Sequence, residues 1–131
     1  VFFGEKDYQQ LFLIKKFIKN KFRTKIFSCS TIRGKNKLAL SSRNILLSDN
    51  DIKKSSFIAK LLLKFKKKIK KNMSLKKNLN NIIFKLNNIK DIEVEYLEIR
   101  NKNNLSKNYN KSNIKIFIAY YNKKIRLIDN Y

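Results

Sequence analysis

Two short stretches hold the residues of this chain best suited to chemistry. Gly4-Glu5-Lys6-Asp7 sets a glycine, two carboxylates and an amine directly after the apolar run Val1-Phe2-Phe3. Glycine lets a ligand approach the backbone, a helix N-terminus behind it favours anions, and an ammonium offers a point charge to phosphate. Asp7 can hold a ribose hydroxyl. The other reading of these residues is an ordinary strand-to-helix turn with Asp7 as the cap. Ser41-Ser42-Arg43, after Leu38-Ala39-Leu40, places two hydroxyls beside a guanidinium. That donor set can wrap a triphosphate, and it can equally start a helix. Gln9 and Gln10 are either substrate ligands or surface residues of a helix. Cys29 reads as a core residue, because the chain contains no histidine to activate its thiol.

Elements able to position these groups are legible from the hydrophobic pattern. Val1 to Gly4 reads as a strand. Asp7 to Phe22 reads as a helix with Leu11, Ile14, Ile18 and Phe22 on one face and Asp7 as N-cap. Thr24 to Ser30 reads as a second strand, so the opening forms a βαβ unit of a larger parallel sheet. A loop containing Gly34 leads to Ser41-Ser42-Arg43-Asn44. Ser48 and Asp51 form a capping box for a long helix with Ile52, Ile58, Leu62, Phe65 and Ile69 inward. A second helix starts near Ser74 and buries Leu75, Leu79, Ile82, Ile83 and Leu86. Three strands close the chain. The first faces Ile92, Val94 and Tyr96 to the core, the Lys/Asn-rich stretch 101–113 is a linker, and the last two join at an Asn122-Lys123 turn.

Composition bounds the function. With 131 residues and 43% apolar content there is material for a real core. No apolar run is long enough to span a membrane, and no secretory leader pattern opens the chain, so the setting is read as cytoplasmic with no membrane partner. One cysteine and no histidine exclude a disulfide framework and the common zinc spacings, so no metal site is assigned. The net charge of +23 is read as drift toward Lys, Asn and Ile in a chain without Pro or Trp. A nucleic-acid-binding protein would need its basic residues on one face with exposed aromatics, and no specific nucleic acid is expected.

FGEKDYQQ, IRGKNKLALSSRN, YLEI and RLIDN stand in the order and spacing of the pantothenate synthetase (pantoate–β-alanine ligase) family. The chain resembles the C-terminal half of that family. The resemblance implies an α/β fold: residues 1–31 are the tail of a Rossmann-like nucleotidyltransferase domain, and residues 32–131 are a small α+β domain that lids it. It implies that Gly4, Glu5, Lys6 and Asp7 bind ATP and that Gln10 holds pantoate. A main-chain group at Ile32 meets the adenine, and Leu40, Ser41, Ser42 and Arg43 form a mobile phosphate loop. Lys6, Ser41, Ser42 and Arg43 are the catalytic candidates. Implied with them are Mg²⁺, the substrates pantoate, β-alanine and ATP, an N-terminal half of the same enzyme, and a homodimer.

This chain departs from the family in three places. The family's histidine-containing signature has no counterpart, its proline before the adenine segment is Ser30, and its glycine before Leu38 is Lys37. A chain without that signature is expected to be a fragment inactive alone, a split-gene subunit or a decayed remnant.

Overall fold

The computed structural model describes residues 1–19, 21–69, 75–110 and 112–131. It divides into two compact units, Val1–Ile32 and Arg33–Tyr131.

The first unit is the expected βαβ. Strand β1 (Phe2–Gly4) runs parallel to β2 (Phe27–Cys29), with Phe2 opposite Phe27 and Gly4 opposite Cys29. A 3₁₀ turn (Glu5–Asp7) feeds helix α1 (Tyr8–Ile18). The helix ends a turn earlier than the periodicity predicts. Lys19 leaves the helical region at ψ 124, so Phe22 lies beyond the helix and is exposed, and only Leu11 is fully buried. Asp7 is not the expected cap: it occupies the N-cap position, but the 3₁₀ turn ahead of it gives it a non-extended backbone, and its carboxylate makes no capping bond. Cys29 is exposed rather than in the core. Phe2 and Phe27 stack with centroids 5.3 Å apart and stay largely open to solvent. Parallel sheets ordinarily bury both faces, and this pair does not.

The second unit packs two helices on a three-stranded antiparallel sheet of order β3-β4-β5. Helix α2 (Asp49–Ile69) starts at the capping box: Ser48 Oγ lies 2.6 Å from Asp51 Oδ2, and the Asp51 amide donates back to Ser48 Oγ. Ile58, Leu62, Phe65 and Ile69 then enter the core at helical spacing. Helix α3 (Leu75–Asn87) adds Ile82 and Leu86. The expected start at Ser74 and the side chain of Leu75 lie outside the described residues.

Strands β3 (Ile92–Asn101), β4 (Ile114–Asn122) and β5 (Ile125–Asn130) follow. The register of β3 against β4 shifts between Val94 and Tyr96. Such an extra residue reverses which face each later side chain takes. Ile92 is therefore joined in the core by Leu97 and Ile99, and Tyr96, expected inward, is only half-buried. The turn between β4 and β5 is Lys123-Lys124, one residue later than expected, with Lys123 at φ 54. The described residues of 101–113 make more contacts than a linker would. Lys102 N donates to Asn113 O, Asn101 Nδ2 donates to Asn108 O, and Tyr109 packs on the core.

A polar seam joins α2 to the β4–β5 turn. Asn122 is fully buried and donates to Asp51 O at 2.9 Å and to Ser55 Oγ at 3.0 Å, while Lys123 Nζ reaches Asp51 Oδ2 at 2.9 Å. Hydrogen bonds from Ser48 and then Lys123 hold the Asp51 carboxyl below its ordinary value. A depressed carboxylate stabilises the fold above its unfolded pKa, and that contribution is lost as pH falls through the folded value. Urea melts should therefore lose stability below about pH 4, and Asp51→Asn should flatten that slope. Equal acid slopes in the two proteins would refute the assignment.

Lys37 yields a second expectation. Residues 34–37 form a turn, with Lys37 N donating to Gly34 O at 2.8 Å and Gly34 N to Leu38 O at 2.9 Å. The residue closing it, Lys37, has φ 72, the left-handed region that glycine adopts without penalty. Lys37→Gly should raise stability by about 0.5–1 kcal/mol, strain relief exceeding the added chain entropy. A lower urea midpoint in the variant would contradict this.

Candidate functional site

Each unit presents one of the two motifs. In the first, Gly4 ends β1, and Glu5, Lys6 and Asp7 make the turn into α1 at the carboxyl ends of two parallel strands. Open α/β sheets bind ligands at that edge. Gly4 is in ordinary extended conformation (φ −73, ψ 136), and a Cβ added there would meet nothing within 4 Å. Neither backbone geometry nor packing within the described chain requires a glycine there. Asp7 and Gln10 are exposed, and Glu5 and Lys6 are half-buried. Gln10 lies in the first turn of α1, three residues beyond Asp7. Ile32, the last residue of this unit, is 71% exposed.

In the second unit the motif hangs on a small hairpin. Arg33 bridges Ala39 across the 34–37 turn. A Cβ at Gly34 would lie 2.9 Å from Asn36 Oδ1, so a larger residue there would displace the side chain that accepts from Leu38 N. Leu40 then projects into solvent, and Ser41 opens a 3₁₀ helix (Ser42–Leu46) by accepting from Arg43 N at 3.3 Å. Ser41, Ser42 and Arg43 are thus brought together, and the cluster is a helix start as well as a donor set. Asn44 Nδ2 ties it back to Ala39 O at 3.0 Å. Arg43 is exposed, with Nη1 3.3 Å from the carbonyl oxygen of Arg126. Arg126 is itself held by Glu95 through contacts of 2.6 and 3.0 Å.

The anchor of this hairpin joins residues far apart in the sequence. Arg33 Nη1 and Nη2 donate to the two carboxylate oxygens of Asp129 at 2.7 and 2.9 Å. The same guanidinium reaches Asn130 O at 3.0 Å and Lys37 O at 3.2 Å, and lies 4.5 Å over the ring of Tyr131. Burial opposes the Arg33 charge, and the Asp129 bonds outweigh it, so its pKa rises. Burial and then the Asp129 charge push the Tyr131 phenol well above its ordinary value. The signal was present as RLIDN, but a partner 96 residues away has no local pattern.

Fold and site together define a class: an α/β chain of nucleotidyltransferase type followed by a small α+β unit. The family is shown directly. The model of the pantoate-beta-alanine ligase family matches residues 1–131, and the chain belongs to that family. Pantothenate synthetase of Flavobacterium psychrophilum is 37% identical over 98% of this chain and 47% of its own length. That of Endomicrobium trichonymphae is 42% identical over 98% and 46%. In structure the chain is similar to pantothenate synthetase from Thermus thermophilus, with TM-score 0.87, 28% identity and coverage of 99% of this chain and 48% of the other. It is also similar to the Francisella tularensis ligase complexed with beta-gamma ATP and beta-alanine, at TM-score 0.67 and 33% identity over 99% and 42%. The chain spans about half the length of the curated relatives it matches.

Removing one partner of a half-buried ion pair leaves the other charge poorly solvated. Asp129→Asn should cost about 3 kcal/mol in urea unfolding and speed hydrogen exchange at the Gly34 and Lys37 amides first. A variant within about 0.5 kcal/mol of the parent would show that the hairpin does not depend on this pair.

Proposed function

We propose that this chain carries the C-terminal share of an ATP-dependent ligase that joins pantoate to β-alanine. The observation that carries the reading is Gly4. At the carboxyl end of a parallel strand, beside an Asp7 that makes no capping bond, the chain holds a glycine that nothing among its described residues requires. A nucleotide approaching the backbone does require it. The Francisella relative was solved with beta-gamma ATP and beta-alanine, which supports the same ligand class. Residues 1–31 then close the larger nucleotidyltransferase domain, residues 32–131 form the small C-terminal domain, and the N-terminal part of the ligase covers the exposed faces of Phe2 and Phe27. The complete ligase is proposed to be a cytoplasmic homodimer. None of the described helices is long and apolar enough to cross a membrane.

In this reading the pantoate carboxylate attacks the α-phosphorus of ATP. The bond to the β-phosphate oxygen breaks, and pyrophosphate leaves. The β-alanine amine then attacks the carbonyl carbon of pantoyl adenylate, loses a proton and expels AMP. The protein supplies placement and charge. Gly4 and Asp7 lie against the ribose, Glu5 shapes the same turn, Lys6 faces the phosphates, and the main chain at Ile32 meets the adenine. Leu40 carries the loop whose Ser41, Ser42 and Arg43 donate to the phosphates. Gln10 holds pantoate. The described residues gather no group of three or more His, Cys, Asp or Glu suited to a metal. Mg²⁺ therefore fits this chain as a companion of the nucleotide phosphates, which it would neutralise.

The test is reconstitution with the N-terminal part of a relative, read as pyrophosphate release. The chain alone should be inactive, and the mixture should turn over. In the mixture Arg43→Ala should lower kcat about a hundredfold, the loss of one charge-stabilising donor. Gln10→Ala should mainly raise KM for pantoate and leave KM for ATP near the parent value. Unchanged turnover in Arg43→Ala, or equal impairment of both substrates in Gln10→Ala, would overturn these roles.

A further inference from the structure

Helices α2 and α3 carry a charge distribution that the ligase reading leaves unused. Between Ile52 and Lys90 the sequence has thirteen lysines and no aspartate or glutamate, whereas the turn and strands that follow hold Asp91, Glu93, Glu95, Glu98 and Asp129. Drift toward lysine sets how many lysines appear, not where carboxylates are left out. On α2, Lys53, Phe57, Lys60, Lys64 and Lys68 recur at spacings of three and four, so they line one stripe about 22 Å long. All five are exposed, Phe57 by 53%. Among the described residues none of these lysines, nor Lys85 of α3, pairs with a carboxylate.

Two clefts lie along the stripe. One, of about 340 Å³, is walled by Lys53, Phe57 and Lys60. The other, of about 170 Å³, lies between the helices and is walled by Lys64 and Lys68 on α2 and Lys85 on α3. The two features that a nucleic-acid surface needs, basic residues on one face and an exposed aromatic among them, occur together here. A membrane surface would need an exposed apolar face beneath the lysines, and the apolar face of α2 is buried against the sheet.

We propose that the α2 stripe and its two clefts form a groove for a single-stranded polynucleotide. Phosphates would lie on Lys53, Lys60, Lys64, Lys68 and Lys85, and one unpaired base would stack on the ring of Phe57. The assignment rests on no part of the ligase reading. Fluorescence anisotropy with labelled oligouridine, labelled oligothymidine, a duplex of matching length and anionic phosphatidylglycerol vesicles tests it on the full chain at physiological ionic strength. Both single strands should bind more tightly than duplex or vesicles, and the tighter of the two names the strand chemistry. Joint replacement of Lys64, Lys68 and Lys85 by Gln should reduce the salt slope of log K by about 2. Phe57→Ala should weaken single-strand binding about fivefold or more, and Phe57→Tyr should retain it. Phe84→Ala, at an exposed ring lining neither cleft, should change nothing. Wild-type affinity in Phe57→Ala, duplex or vesicles bound as tightly as single strands, or an equal slope loss on replacing Lys16, Lys19 and Lys25 by Gln would each overturn the groove.

Discussion

The ion pair between Arg33 and Asp129 is the constraint on which the second unit's hairpin, and the Ser41–Arg43 loop it carries, depend. A hairpin of seven residues with one bridge, Arg33 to Ala39, has little burial of its own to hold it. The forked guanidinium fixes it by engaging both carboxylate oxygens, two carbonyls and the face of Tyr131 at once. Everything the loop presents follows from that anchor. Leu40 and the Ser41 cap hang from the hairpin, Asn44 ties them back to Ala39, and Arg43 is steadied by the carbonyl of Arg126 on the same strand as Asp129. The strand therefore needs a rigid address, and the hydrophobic core supplies it through β4, whose residues from Ile116 to Tyr120 are buried without interruption.

A second polar device keeps the long helix in register with that sheet. Asp51 closes the capping box, accepts from Lys123 in the β4–β5 turn, and gives its carbonyl to the buried Asn122. One residue thus sets the start of α2 and its height against the strands. The apolar contacts of Ile58, Leu62 and Ile69 then determine how strongly the helix is held, and the polar seam determines where.

The first unit has no comparable closure. Its sheet has two strands of three residues, its helix buries one side chain fully, and Phe2, Phe17, Phe22 and Phe27 lie exposed. A parallel pair of that size gains its stability from neighbours on both faces. The second unit has a contiguous core linking two helices and three strands. The difference is one of burial, and it matches the half-length span of the chain against its relatives.

The sequence by itself determined the elements and the family. Hydrophobic spacing placed α2 and α3, alternation placed the strands, and the order of FGEKDYQQ, LALSSRN and RLIDN identified the ligase family, because all of these are local patterns. It also flagged Lys37 as standing where the family has glycine, and the structure gives that residue a glycine-like φ of 72. Tertiary structure decided what depends on distant partners. The pairing of Arg33 with Asp129 spans 96 residues, the irregularity near Glu95 exchanges Tyr96 for Leu97 on the core face, and the lysines of α2 become one stripe beside an exposed Phe57. Periodicity reports which face of an element is apolar. Only the folded chain brings charges from separate elements within hydrogen-bonding reach, and a register shift of one residue reverses a strand without altering its composition.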